Sequence, residues 1–504
     1  MTKLNFQAAE TANLTPMEAA PAPRKWSSYQ QDIFRFIEED NGNAIIEAVA
    51  GSGKSTTIIE GMSRIPAGAS SIFLAFNKSI ADELKNKGVN ARTFHSLTYS
   101  PVLRSRKLNT VDANKLRRVM DTEFPGNIRR IYGTFASKLV GLARQVGIGC
   151  LVKDTPAVWQ DIVNLHDLEI ESDEGDLYTG IQVAQELLGH SNRAPIVDFD
   201  DLLYLAVLDG ISLPKFDYVF VDEAQDTNAI QRAILRKILK PTSRIIAVGD
   251  PAQAIYGFRG ADSNSLNLIA QEFNCTHLPL TVTYRCPTSV VQYAQNWVSH
   301  IEAAPGAAEG VVKHLETKWN PSMFQAGDLV VSRTTRPLLA LGYRMLKAKL
   351  PVRIMGREIG QGLVNLVKKM KATDIDTMLT ALAVWETREI EKAIAKQDDA
   401  KAERISDQAS AIRCIADGME EDERTLDNLY NIIGSLFDDK GNATILSTIH
   451  KAKGMEADRV WWLGRSKCPS KWARQPWAIQ QEGNLCYVAV TRAKQELITI
   501  EEAE

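Results

Sequence analysis

The feature that most limits the fold of this chain is a junction near its start. An apolar run, Ala44–Val49, passes directly into Gly51-Ser52-Gly53-Lys54-Ser55-Thr56. Short runs this apolar belong to central strands covered on both faces, as in parallel sheets. A glycine loop between such a strand and a helix lets backbone N–H groups close around phosphate. In that reading Gly51, Ser52, Gly53 and Thr56 line the phosphates. Lys54 neutralises the β/γ-phosphates of ATP, and the Ser55 hydroxyl holds Mg²⁺. A plain glycine turn would not need Lys-Ser-Thr after it. Ala48 stands where the commonest form of this loop has its first glycine.

Two later segments complete the site. Tyr218–Val221 is again apolar and ends in Asp222-Glu223-Ala224-Gln225-Asp226. A carboxylate at the end of a buried strand lies beside the phosphate loop in such folds. Asp222 is assigned to Mg²⁺ through its water shell and Glu223 to polarising the attacking water. The third segment follows the strand at Ile245–Val248 and reads Gly249-Asp250-Pro251-Ala252-Gln253-Ala254-Ile255-Tyr256-Gly257-Phe258-Arg259-Gly260-Ala261. Gln253 is placed to sense the γ-phosphate. Tyr256, Phe258 and Arg259 put two aromatic faces and a cation in one loop, which suits the stacking of nucleobases. Any one of these aromatics alone would be read as core.

The remaining chain extends the α/β pattern. Ile72–Ala75 joins the first strand set. A second set comprises Leu329–Val331, Val352–Met355, Thr444–Ser447, Val460–Leu463 and Leu497–Ile500. Strands alternating with helical patterns predict parallel sheets, here two α/β lobes. Two stretches depart from this rhythm. In the first, Phe135, Leu139, Leu142 and Val146 share a helix face. In the second, Ile375, Met378, Leu379 and Leu382 do. Each predicts a helical insertion. The charge-rich run Glu386–Asp407 is expected to be solvated helix surface. The predicted organisation is a mobile tail at 1–24, a first lobe at 25–99 and 199–277 with an insertion at 100–198, and a second lobe at 278–372 and 442–504 with a short insertion at 373–441.

Composition narrows the classes. At 504 residues the chain exceeds what one core usually serves. No apolar run approaches the roughly 20 residues of a membrane span, and the N-terminus lacks a secretory pattern. The six cysteines form no C-x-x-C pair, which argues against a zinc ribbon and fits thiols in a reducing cytosol. A net charge of −3 is no mark of a nucleic-acid binder, yet threading one strand needs only a local basic and aromatic track.

With these motifs in order, the chain resembles superfamily-one helicases of the UvrD/Rep/PcrA type, from Trp26 to about Thr499. The resemblance implies two RecA-like lobes with helical insertions. It further implies that Gln30, in Trp26-Ser27-Ser28-Tyr29-Gln30, reads the adenine edge. Ala75-Phe76-Asn77-Lys78 and Thr93-Phe94-His95-Ser96 look like the first strand-contacting motifs, implicating Asn77, Thr93 and His95. Thr283-Tyr284-Arg285 resembles the motif whose tyrosine stacks on adenine and whose arginine meets the γ-phosphate. Thr448-Ile449-His450-Lys451-Ala452-Lys453-Gly454-Met455-Glu456 resembles the motif joining DNA to nucleotide, with Glu456 at the ribose and Thr448 and His450 near the strand. Tyr487–Lys494 resembles the last motif, whose Arg492 reaches the γ-phosphate. Phe258 stands where the best-known members carry Trp, Phe76 lies one place nearer Asn77 than usual, and the second insertion is short.

The resemblance thus implies an ATP- and Mg²⁺-dependent DNA helicase, a monomer working 3′-to-5′ on single-stranded DNA and single-/double-strand junctions. Single-strand-binding or recombination proteins are its expected partners, with no membrane association and no C-terminal nuclease. Its expected location is a bacterial cytoplasm, at the nucleoid or as a phage product. Two alternatives use the same loop: a translocase that strips bound proteins with little unwinding, and a P-loop switch or small-molecule kinase without nucleic acid. Stimulation of ATPase by single-stranded DNA separates the last from the others.

Overall fold

The computed structural model describes residues 25–502 except 167, 171, 173, 258–263, 396–398, 439–440, 472 and 474. The expected tail and the aromatic pair member Phe258, with Arg259, lie outside the described residues.

The strands are β1 Asn43–Ala48, β2 Ser71–Leu74, β3 Ala91–Arg92, β4 Phe216–Val221, β5 Leu239–Gly249, β6 Cys275–Leu280, β7 Val282–Thr283, β8 Glu302–Ala303, β9 Val311–Glu316, β10 Leu329–Ser332, β11 Val352–Ile354, β12 Thr444–Thr448, β13 Ala457–Leu463 and β14 Ala493–Ile500. They form two six-stranded sheets, ordered β3-β2-β4-β5-β1-β6 and β11-β12-β10-β13-β14-β9, and a small β7-β8 pair. Every pairing within the two large sheets is parallel. This is the two-lobed RecA-like α/β fold expected from the sequence.

Alternation along each strand sends neighbouring side chains to opposite faces, and the cores follow it. Ile45, Ile72 and Val219 face one core, while Ile46, Phe73 and Phe220 face another. In the second sheet Val330 and Trp461 point one way, and Val331 and Trp462 the other.

Six helices lie between β3 and β4: Phe94–Arg106, Lys115–Glu123, Gly126–Val146, Pro156–Leu165, Leu177–Arg193 and Phe199–Leu208. Phe135, Leu139 and Trp159 from these helices share one core with Ile45 and Ile72 of the first sheet. A buried charge cluster pins them further. Arg144 donates to both carboxylate oxygens of Asp198, and Lys115 donates to Asp201 at 2.5 Å. Between β11 and β12, Met378, Leu382, Ile412 and Leu429 join Val330 and Trp461. The charge-rich run is not all solvated surface. Glu386 holds Arg413 through two bonds, and Asp407 accepts from the backbone N–H groups of Thr335 and Arg336, capping the helix Arg336–Lys347.

The lobes meet through one apolar cluster. Val49, Ala50 and Ile255 of the first pack with Ile449, Ala452, Leu485 and Tyr487 of the second. The nucleotide motifs sit along this seam.

Candidate nucleotide and nucleic-acid site

β1 ends at Ala48, and the chain turns through Gly51 (φ 72°) and Gly53 (φ 81°) into the helix Lys54–Ser63. Both glycines adopt the left-handed backbone that side chains rarely tolerate. At Gly51 space also forbids a side chain: a Cβ would come within 2.5 Å of Arg285 Cβ and 2.6 Å of Thr283 Oγ1. Among the described residues no side chain caps the helix at Gly53, and the buried Ser52 hydroxyl finds no hydrogen-bond partner. Uncapped N–H groups, an unsatisfied hydroxyl and Lys54 together fit a polyphosphate. Ser55 Oγ donates to Asp222 Oδ2 at 2.9 Å, so two oxygen ligands of the kind Mg²⁺ prefers converge at one point. Thr56 follows in the first helical turn.

Lys54 Nζ lies 3.4 Å from Glu223 Oε1. Burial disfavours its charge, but the Glu223, Asp250 and Asp222 carboxylates outweigh that and hold its pKa above the ordinary lysine value. Asp222 is pushed up by burial and by Glu223. Glu223 resists its own burial because Lys54 and Lys453 lie close, and its pKa is drawn down. Glu223 therefore stays ionised, as a group that polarises water must. Its backbone is left-handed, with φ 50°.

Gln253 Nε2 donates to Asp250 Oδ2 at 2.6 Å, and its Oε1 accepts from Arg492 Nη2 at 3.4 Å. Arg492 is buried and also donates to the carbonyls of Val488 and Met455. Burial, with the nearby charge of Arg285, lowers its pKa to about 10. Arg285 donates to Glu456 at 2.7 Å and to the Thr491 carbonyl. The two residues assigned to γ-phosphate and ribose thus bond to each other here. The phosphate loop itself touches the second lobe, where the Ala50 N–H donates to the Tyr487 hydroxyl at 2.9 Å. Tyr284 is half exposed, and its N–H donates to the Gly51 carbonyl. Gln30 is buried, with Nε2 donating to Thr57 Oγ1. Its Oε1 accepts from Ser27 N–H in the capping box of the helix Ser28–Glu39.

The nucleic-acid candidates divide. Asn77 and Thr93 are N-caps, accepting from Ile80 and Ser96 N–H. His95 lines a cavity of about 310 Å³ with Phe76, Gln145, Asp226, Gln231 and Tyr256. Burial lowers its pKa, keeping the ring neutral. Phe76, 46% exposed, stacks on Tyr256 with centroids 5.9 Å apart and planes 9° apart. Thr448 occupies the N-cap position of the short helix Ile449–Ala452 without a side-chain cap bond among the described residues, and the His450 carbonyl accepts from the Tyr256 hydroxyl at 3.4 Å.

Three partners were not assigned from sequence: Asp226, Lys453 and Tyr487. Each stands inside a motif, and only the contact across the lobes marks it. The helix Pro476–Val490 likewise carries Trp477, Gln481 and Asn484, which bond the first lobe at the Leu165 carbonyl, Gly257 N–H and Ala254 carbonyl. Among the described residues, no group of three or more His, Cys, Asp or Glu could hold a metal, and no helix is long and apolar enough to cross a membrane.

Comparison with known proteins agrees with this geometry. Residues 29–274 match the UvrD/REP helicase N-terminal domain, and residues 358–503 the UvrD-like helicase C-terminal domain. F-box DNA helicase protein 1 of Schizosaccharomyces pombe is 26% identical over 496 residues, 90% of this chain and 55% of that protein. F-box DNA helicase 1 of Gallus gallus is 24% identical over 526 residues, covering 95% and 49%. ATP-dependent DNA helicase Rep of Escherichia coli is 25% identical over 285 residues, covering 48% and 38%. The chain spans about half the length of the first two. The first match holds the phosphate loop and the second holds Arg492, and the chain belongs to the UvrD/Rep helicase family.

Proposed function

We propose that this chain is an ATP-dependent DNA helicase that moves 3′-to-5′ along single-stranded DNA. The carrying observation is that one seam holds both the nucleotide groups and the Phe76–Tyr256 stack, with each lobe supplying residues. Gln30 and Tyr284 hold the adenine, Glu456 the ribose, and Gly51, Ser52, Gly53, Lys54, Ser55 and Thr56 the phosphates. Ser55 and Asp222 would hold Mg²⁺, which neutralises phosphate charge when bound. Glu223 orients water toward the γ-phosphorus, and Gln253, Arg285 and Arg492 stabilise the charge that develops. Breaking the Arg285–Glu456 pair, both members of which lie on the second lobe, frees both to reach a nucleotide held by the first. On the strand side Tyr256, Phe258 and Arg259 form the platform, with Asn77, Thr93, His95, Thr448 and His450 along the path.

In this reading the first lobe is 25–99 and 199–277 with its insertion at 100–198, and the second is 278–372 and 442–504 with its insertion at 373–441. Substrates are single-stranded DNA and strand junctions, partners include single-strand-binding or recombination proteins, and a monomer acts in a bacterial cytoplasm. A second reading is displacement of bound proteins with little unwinding. It is favoured by the short second insertion, which packs into the core of its own lobe.

The test is strand displacement on 3′-tailed, 5′-tailed and blunt duplexes, with and without ATP. Unwinding of the 3′-tailed substrate alone is expected. ATPase that ignores single-stranded DNA defeats both readings, while DNA-stimulated ATPase without unwinding selects the second.

A further inference from the structure

Lys453, on the second lobe, has its ammonium at a crossing point. Nζ donates to Asp226 Oδ2 at 2.5 Å and to the Gln253 carbonyl at 2.8 Å. It lies 3.9 Å from Glu223 Oε2. The same atom sits 4.9 Å from the Tyr256 ring centroid and 5.9 Å from that of Phe76. One cation thus touches the water-polarising carboxylate, the γ-phosphate-sensing loop and both rings of the strand-side stack. Its side chain is 8% exposed and that of Asp226 fully buried, so these interactions are little screened by solvent.

Asp226 is the second half of the arrangement. Its Oδ2 receives Lys453, and its Oδ1 has no hydrogen-bond partner among the described residues. Asp226 lines the same cavity as Phe76, Tyr256 and Gln231. A buried acceptor without a donor, beside stacked rings, suits the N–H edge of a nucleobase.

We propose that Lys453, anchored on Asp226, is a positioning residue that transmits occupancy of the strand cavity to Glu223. This rests on the helicase reading above. A base entering beside Phe76 and Tyr256 changes what Asp226 and the rings offer the ammonium. Any shift of Nζ then alters its attraction to Glu223, which falls with distance. The same shift pulls on the Gln253 backbone. Because Lys453 belongs to the second lobe and its partners to the first, movement between lobes and binding of the strand bias one contact. Coupling through such an element is reciprocal.

The test measures that coupling. Affinity of the full chain for a short fluorescein-labelled oligo-dT is read by anisotropy, without nucleotide and with a non-hydrolysable ATP analogue and Mg²⁺. For wild type the two affinities should differ by about fivefold or more. For Lys453→Met and for Asp226→Asn the ratio should fall to within about twofold of unity, and Lys453→Arg should restore part of it. A merely structural ion pair would lower the melting temperature and leave the ratio intact. Folded Lys453→Met or Asp226→Asn with the wild-type ratio overturns the proposal, as does a wild-type ratio of one. Should Lys453→Met not fold, Asp226→Asn, which keeps the side-chain volume, decides alone. Absence of DNA-stimulated ATPase in wild type would instead overturn the helicase reading itself.

Discussion

At the scale of single residues the site separates charges that act from charges that hold. Glu223 is kept ionised by two lysines, so Glu223→Gln should bind ATP and fail to hydrolyse it. Lys54→Ala should lose turnover because the phosphate loop loses its cation. Nucleotide binding by fluorescence and phosphate release measure the two effects, and near-normal release by Glu223→Gln would remove that residue from the reaction. Arg492→Ala should keep single-strand affinity within a few-fold and lose DNA-stimulated turnover. It also removes the donor to the buried Val488 carbonyl, costing about 1–3 kcal/mol, and to the part-buried Met455 carbonyl, so a lower melting temperature is expected alongside. The assigned residues were legible because each motif is contiguous and its chemistry sits on adjacent positions. Lys453 and Asp226 were not, since their bond spans 227 positions and neither motif alone reveals it. Asn77 and Thr93 show the converse: their side chains are engaged as helix caps, which the strand-contact reading did not include.

At the scale of elements, the central strands were readable as apolar runs because helices cover both of their faces. β6 and β9 are sheet edges and escaped because their apolar runs are broken or exposed, whereas β11, an edge with Val352 and Ile354 buried, was readable. In Val311–Glu316 four of six residues are exposed, and in Cys275–Leu280 a proline and a histidine interrupt the run. Edge strands carry such residues because they meet water and must not pair further. The charge-rich run escaped for another reason: its Asp407 caps a helix that starts 71 positions earlier, and tertiary caps leave no local signal. Asp407→Ala should destabilise the chain by about 1 kcal/mol, read by denaturant unfolding, with DNA-stimulated ATPase unchanged. The helix Pro476–Val490 has 15 residues, or about 22 Å. It contacts the first insertion at one end and the phosphate loop at the other. Trp477→Ala removes the bond to the Leu165 carbonyl and should weaken DNA stimulation while sparing ATP affinity. A proportional loss of both would make Trp477 a simple packing residue.

At the scale of the whole molecule, two parallel sheets face each other across a seam, and each insertion shares a core with its own sheet. Parallel order has a consequence for how the protein is made. β1 carries the phosphate loop near the start of the chain, yet its sheet neighbours are β5 and β6. Some 200 residues of synthesis separate them, since Asn43 is the strand's first residue and Leu239 and Cys275 begin its partners. Until those partners emerge, this buried central strand of the first lobe has no edge to pair with. The nucleotide pocket is therefore among the last features to form, and the intervening helices, rich in local contacts, can form first. A fragment ending at Ile238 should be helical by circular dichroism, bind no ATP and aggregate. A fragment extended past Leu280 should recover solubility. The nascent chain thus spends a long interval with its phosphate-loop strand exposed, the period in which a chaperone has most to offer.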